Sequence, residues 1–177
     1  MPNFPSVTQI LSPYTDFSMV PEHILSRATE RGQKIHAICA AILQGLWVPR
    51  IEPELAGYIA SFQAWKEQFI EEVIFVEHEL VDPVYGFIGH PDMIVRAYKE
   101  IILVDLKTPV VLQKAWQLQL SAYLHLARKN GHKPNKAGSL RLTPNGAIPK
   151  MQWYLDNAND FNIFLGLLNG FRYFHGN

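Results

Sequence analysis

Tyr98-Lys99-Glu100 separates two stretches that read as strands, Phe87-Ile88-Gly89-His90-Pro91-Asp92-Met93-Ile94-Val95 before it and Ile101-Ile102-Leu103-Val104-Asp105-Leu106 after it. Both stretches are rich in apolar and β-branched residues, and the polar break between them is short enough for the turn of an antiparallel hairpin. If Tyr98 and Lys99 form the loop, Ala97 faces Glu100, and the same register sets Asp92 directly across from Asp105. Residues opposed in this way have Cβ atoms roughly 4.5–5.5 Å apart, so the two carboxylates are spaced to share one cation. Strand alternation puts Lys107 on the same face as Asp105. Two acids and a lysine therefore converge at one end of a hairpin.

Those residue types suit phosphodiester hydrolysis. The reaction needs relief of charge repulsion, a nucleophilic water and stabilisation of charge growing on phosphate oxygens, and a carboxylate-held Mg²⁺ or Mn²⁺ contributes to all three. An ammonium beside the metal orients the water and stabilises the transition state. Asp-x-Lys alone is common and carries little weight. Here the two charges interrupt a very apolar strand, where an unpaired charge is costly unless it has a task.

With these residues in place the chain resembles a known family. Pro91-Asp92 followed by Asp105-x-Lys107 is similar to the Pro-Asp…(Asp/Glu)-x-Lys signature of the PD-(D/E)XK nuclease superfamily. Three further stretches resemble its RecB-type domain: Gln119-Leu-Ser-Ala-Tyr123, the helix motif Glu30-Arg31-Gly32-Gln33-Lys34-Ile35-His36, and the opening Ser6-Val7-Thr8-Gln9-Ile10-Leu11. Four weak motifs in the family's order, over roughly residues 6 to 127, outweigh any one of them. The resemblance implies a restriction-endonuclease-like α/β core. It also implies metal ligation by His36, Asp92, Asp105 and the Leu106 backbone carbonyl, a catalytic Lys107, and Gln119 and Tyr123 bordering the substrate. A neutral imidazole among the ligands would bias the site toward Mn²⁺ over Mg²⁺.

Read without the family, the helices are compatible but less decisive. Residues 22–45 carry Ile35, Ile38, Cys39, Ile42 and Leu43 at helical spacing with Gly45 as a stop, and His36 lies beside that stripe. A lone helical histidine is more often a surface or core residue than a ligand. Residues 112–129 form another amphipathic helix, on which Gln119 and Tyr123 are one turn apart and Gln117 faces elsewhere. A Gln and a Tyr so placed usually mean packing with a hydrogen-bonded hydroxyl. Glu79 reads as a solvent-facing acid, with approach to the metal from a neighbouring strand as the alternative.

Further elements are expected as a Pro-containing link at Trp47-Val48-Pro49, a helix from Pro53 to Phe69, a strand over Val73–Val81, a strand pair around 137–142 and 150–155, and a last helix over 159–174. Helices before and after a mixed central β-sheet argue for a layered α/β fold. At 177 residues and 48% hydrophobic content, one domain spanning 1–177 is expected. Cys39 is the lone cysteine, so an internal disulfide is excluded. It cannot by itself hold the iron-sulfur cluster for which several RecB-type relatives carry four cysteines, and no iron-sulfur cluster is expected.

Sixteen basic and sixteen acidic residues cancel, so global charge gives no support for nucleic-acid binding. Lys129, His132, Lys133, Lys136, Arg141 and Lys150 gather in the last third as candidates for one edge of a groove, although such runs are usually solvated loops. With no bilayer-length apolar run and no basic signal-like start at Met1-Pro2-Asn3-Phe4-Pro5, a cytoplasmic protein is expected, bacterial or phage-encoded in its host's cytoplasm. The sequence thus points to a Mg²⁺- or Mn²⁺-dependent deoxyribonuclease, an exonuclease on linear or single-stranded DNA ends in preference to an endonuclease. DNA is the expected partner, with a recombination or replication protein and self-association as further options. The rival is a catalytically silent accessory subunit of the same fold that binds DNA or protein.

Overall fold

The computed structural model describes residues 4–15, 20–48, 50–109, 113–155 and 157–175. In chain order its elements are α1 (Val7–Leu11), α2 (Glu22–Leu43), α3 (Pro53–Phe69), β1 (Ile70–Val76), β2 (Leu80–Asp82), β3 (Phe87–Gly89), β4 (Met93–Ala97), β5 (Glu100–Lys107), α4 (Ala115–Lys129), β6 (Lys136–Arg141), β7 (Lys150–Trp153) and α5 (Ala158–His175). Leu112 and Pro49, expected in the central helix and in the first link, lie outside the described residues. No helix among the described residues is long and apolar enough to cross a membrane.

The expected hairpin forms as β4–β5. Tyr98 and Lys99 both take positive φ, 54° and 61°, the backbone whose twist matches the flanking strands. A left-handed conformation costs a non-glycine residue roughly 1–2 kcal/mol. Surrounding contacts hold it in place: Trp65 Nε1 donates to the Tyr98 hydroxyl at 2.9 Å, the Tyr98 ring lies 4.8 Å from that of Phe69, and the Lys99 N–H donates to Glu71 Oε1 at 3.1 Å. The ladder runs from Ala97 opposite Glu100 to Met93 opposite Val104, as the turn dictates.

Two expected strands are each divided. The apolar run at 87–95 is not continuous: β3 pairs with β2 in a ribbon of its own, and β4 begins only at Met93. Pro91 has no N–H to give a ladder, and the break leaves Asp92 just beyond the last paired residue of β4. The stretch 73–81 likewise splits into β1 and β2 around Glu77, whose φ is 43°.

The main sheet has the order β1-β4-β5-β6-β7, with β5 and β6 parallel and the other neighbours antiparallel. A parallel step needs a crossover, and α4 supplies it. Strand alternation then divides the core. Ile94, Leu103 and Ala137 pack with Leu120, Leu124, Phe164 and Leu168 of α4 and α5. Met93, Val95, Ile102, Val104 and Leu140 pack with Ile35 and Cys39 of α2 and Phe62 and Trp65 of α3. Helices thus cover both sheet faces in three layers, and one end of the sheet, where β5 finishes and β4 starts, stays open to side chains from both.

Candidate metal and catalytic site

At that open end Asp92 is the hub. It is only 8% exposed, and each of its three oxygens has a partner. Oδ2 accepts the Leu106 N–H at 2.5 Å, Oδ1 meets His36 Nδ1 at 2.7 Å, and the main-chain carbonyl accepts the Glu77 N–H at 3.0 Å. His36 arrives because Ile35 and Cys39 anchor α2 in the core between β-sheet and α3. A helix under one face of the sheet can reach Asp92 only because this residue stands past the end of the ladder.

Glu77 is the residue that sequence reasoning missed. Ligand atoms of His36, Glu77 and Asp92 all lie within 4.8 Å of one another, a grouping able to hold a metal ion. Two irregularities in the β1–β4 pairing explain the miss. Counting from Ile70 opposite Ala97 without them would set Phe75 against Asp92. The shifts between Ile70 and Glu72 and between Val73 and Phe75 each add one residue, so β1 ends with Val76 opposite Met93 and Glu77 comes next to Asp92. Glu79, the alternative considered from sequence, is half exposed and lies 3.5 Å from His90 Nε2.

The other expected residues meet one step deeper. Lys107 Nζ lies 2.5 Å from Asp105 Oδ2 and donates to Gln119 Oε1 at 2.9 Å. Gln119 Nε2 in turn donates to the Tyr123 hydroxyl at 3.2 Å, and the Trp116 ring sits 5.2 Å from the ammonium. Gln117 faces away from this chain of contacts and is exposed, as the helical spacing implies. Leu106 enters through its N–H, and strand geometry sends the carbonyl of a residue toward the same neighbouring strand as its N–H. Gly89 permits the packing behind Tyr123: a Cβ there would stand 2.9 Å from Tyr123 Cε1 and 2.6 Å from Leu126 Cδ1.

A buried acid pair, an adjacent lysine and a Gln/Tyr helix in this order invite comparison with known proteins. The sequence model of the PD-(D/E)XK nuclease superfamily matches residues 14–164. The chain belongs to that superfamily. Its mixed five-stranded sheet flanked by helices is accordingly of the restriction-endonuclease-like kind. No curated protein matches the chain. Among solved structures, "Crystal structure of SSO0001" is similar at 17% identity with a TM-score of 0.40, covering 63% of this chain and 54% of that one, so the chain spans about half the length of that structure.

The electrostatics of this cluster in the PD-(D/E)XK chain follow from its crowding. Burial disfavours the charged His36 imidazole, but the Asp92 carboxylate beside it more than compensates and raises its pKa to about 9. A proton therefore holds His36 to Asp92 where a cation could do the same work. Burial, then the neighbouring Asp92 charge, also lifts the Glu77 carboxyl, and the opposing pull of His36 and His90 only partly offsets that rise. Asp105 is lifted as well: its burial outweighs the attraction of Lys107, and Asp92 adds to the rise. Burial raises the Tyr123 phenol far above its ordinary range, so it stays a neutral hydroxyl. Burial likewise keeps the Cys39 thiol protonated, and the negative charges of Asp92 and Glu77 push it the same way. An imidazole with crowded carboxylates matches the nitrogen and oxygen donors that divalent ions such as Mn²⁺ accept.

The basic residues of the last third do not form one edge. Arg141 is paired with Lys107 across β5–β6 and with Lys150 across β6–β7, at the site end of the sheet. Lys136 begins β6 five residues earlier, opposite Ile102. That span is roughly 16 Å at strand rise. Lys136 is ion-paired to Glu100 and sits 4.4 Å from the Trp153 ring, while His132 packs edge-on against Phe75. Lys129 ends α4, and the next residue, Asn130, donates to the Val81 carbonyl at 3.1 Å, which sets this helix end beside β2. The parallel crossover separates residues that the sequence places close together.

Proposed function

We propose that this chain is a divalent-metal-dependent DNA nuclease of the RecB type, acting as an exonuclease on linear or single-stranded ends. The observation that carries the reading is the convergence of His36, Glu77, Asp92, Asp105 and Lys107 at one open sheet end. In this reading His36, Asp92 and Asp105, with the Leu106 carbonyl, form the ligand set, and Glu77 joins it. A Mg²⁺ or Mn²⁺ bound there would lower the pKa of water and offset phosphate charge.

The protein's own part follows from the contacts. Asp92 and Asp105 present negative charge whose mutual repulsion a cation relieves. Lys107, held between Asp105 and Gln119, fixes an ammonium beside the reacting phosphate, where it stabilises developing negative charge. Gln119 and Tyr123 position that ammonium: the amide accepts from Lys107 and donates to a phenol that burial keeps neutral. An accessory subunit that never cuts has no use for an ammonium clamped by a buried acid and a buried amide, which favours the enzyme over that rival.

Cleavage of end-labelled linear single-stranded, linear duplex and closed circular DNA with Mg²⁺ or Mn²⁺, with Lys107→Ala in parallel, tests the reading. Loss of linear DNA only, abolished in the variant, is the expected result, with Mn²⁺ supporting the faster turnover. Nicking of circles would replace exonuclease by endonuclease. Equal or better turnover with Mg²⁺ across a full titration would count against His36 as a ligand. Folded protein that cuts nothing would overturn the nuclease reading in favour of the binding role.

A further inference from the structure

A cavity of about 170 Å³ opens between α4 and the β6–β7 end of the sheet, lined among others by Trp116, Gln117, Leu120, Ser139, Gln152 and Tyr154. It abuts the site on two sides. Trp116 carries the Lys107 ammonium 5.2 Å from its ring centroid, and Ser139 is the direct ladder partner of Asp105. Gln117, left unused by the Lys107–Gln119–Tyr123 chain, is one of its walls, four residues before none of that chain but one turn from Leu120 on the cavity side of α4.

The lining is selective. It combines aromatic residues, Trp116 foremost, and a leucine with glutamines that include Gln117 and Gln152, its one charged lining residue is Lys114, and none is acidic. An aromatic ring and an aliphatic floor accept the flat faces of a nucleobase. A glutamine amide offers one donor and one acceptor side by side, the pattern that matches N6 and N7 of adenine. The size limits the occupant. Pockets for whole drug-sized ligands run to about 300–1,000 Å³, so this one takes a single ring system and leaves sugar and phosphate outside, on the Lys107 side.

We propose that this cavity receives the base of the nucleotide flanking the scissile phosphate, adenine by preference, turned out of its stack against Trp116 and read at its edge by Gln117 and Gln152. The proposal rests on the nuclease reading for its substrate. Leaving the stack costs a few kcal/mol for a paired base and least for an unpaired one, so the pocket favours single-stranded or frayed ends. Specificity then comes from one base, while Lys107 and the acids act on the phosphate whatever the sequence.

The test separates the two readings by working first without metal or cleavage. Metal-free protein in EDTA is titrated with dAMP, TMP and 2-deoxyribose 5-phosphate, followed by ¹⁵N NMR of the Trp116 indole N–H and the Gln117 and Gln152 side-chain amides. Saturable shifts of these signals with dAMP are expected, with TMP and Gln117→Ala each weaker by about tenfold, the lower range of one bidentate base contact. Gln117 is exposed on a helix, so alanine there retains the fold. Equal affinity for TMP, equal shifts with the sugar phosphate, or no shift at these signals would overturn the proposal even if Lys107→Ala abolishes cleavage. Binding of dAMP without any DNA cleavage would keep the pocket and remove the nuclease reading. On DNA, an abasic residue beside the scissile phosphate should lower kcat/KM at least about tenfold in the wild-type protein and by clearly less in Gln117→Ala, which keeps only Trp116 and Gln152 for the base; an equal loss in both would overturn the link between pocket and chain.

Discussion

Replacing Lys107 by methionine should separate what the lysine does for catalysis from what it does for the fold. The side chain is 13% exposed, and its ammonium is the ion-pair partner of Asp105 Oδ2 at 2.5 Å, with Asp105 itself 3% exposed. Removing one partner of a buried pair typically costs about 3–5 kcal/mol when the other stays charged. Asp105 need not stay charged, because burial already raises its carboxyl above the ordinary 3.8 and loss of Lys107 removes the main opposing influence. The variant's folded state therefore binds a proton that its unfolded state releases. For a carboxyl raised on folding, the stability is retained at low pH and lost as pH rises from the unfolded value toward the folded one. Across that window the loss amounts to about 1.4 kcal/mol per pH unit. Urea denaturation in EDTA should find Lys107→Met close to wild type near pH 4 and progressively weaker toward pH 8. Adding Asp105→Asn should recover most of the deficit at pH 8, since the uncompensated charge is gone. DNA cleavage should fall by at least about 10²–10³-fold in both variants, the usual effect of deleting one transition-state donor. A pH-independent stability loss, or a double variant no more stable than Lys107→Met at pH 8, would refute the reasoning about Asp105.

Titration calorimetry with Mn²⁺ at pH 7 in buffers of different ionisation enthalpy should show about one proton released per ion, because His36, held near 9 by Asp92, must deprotonate to bind. Affinity should rise with pH up to that value, vanish in Asp92→Ala and weaken at least about tenfold in Glu77→Gln; an unchanged affinity in the latter would remove Glu77 from the ligand set. Gly57→Ala should destabilise by about 1–3 kcal/mol in thermal unfolding despite alanine's better helix propensity. A Cβ there would stand 1.7 Å from the Pro144 carbonyl oxygen, backbone that cannot rotate away. Lys99→Gly should instead stabilise the protein by about 1 kcal/mol by relieving a left-handed backbone, since φ is 61° and the hydrogen bond to Glu71 uses only the main-chain N–H. A lower midpoint in that variant would show that the lysine side chain contributes more than the turn costs.

What the sequence determined by itself was whatever depends on local geometry. The two-residue break at Tyr98-Lys99 fixed the β4–β5 register from Ala97 opposite Glu100 to Met93 opposite Val104, and alternation put Lys107 on the Asp105 face, whereas Asp92, expected opposite Asp105, falls just beyond that ladder. Helical spacing likewise predicted that Gln119 and Tyr123 share a face that excludes Gln117. The tertiary structure decided what depends on packing between distant segments. Pro91 breaks the apolar run so that Asp92 overhangs the sheet, and two bulges in β1 shift its pairing until Glu77, not Phe75, stands beside that acid. Neither bulge has a glycine or proline in β1 to announce it. The α4 crossover then leaves Lys129 at a helix end beside β2, while Arg141, twelve positions on in the chain, stands opposite Lys107. It also sets Gln117 and Gln152 on the walls of one cavity. Register within a hairpin is set by residues a few positions apart, whereas these placements are set by which surfaces bury one another.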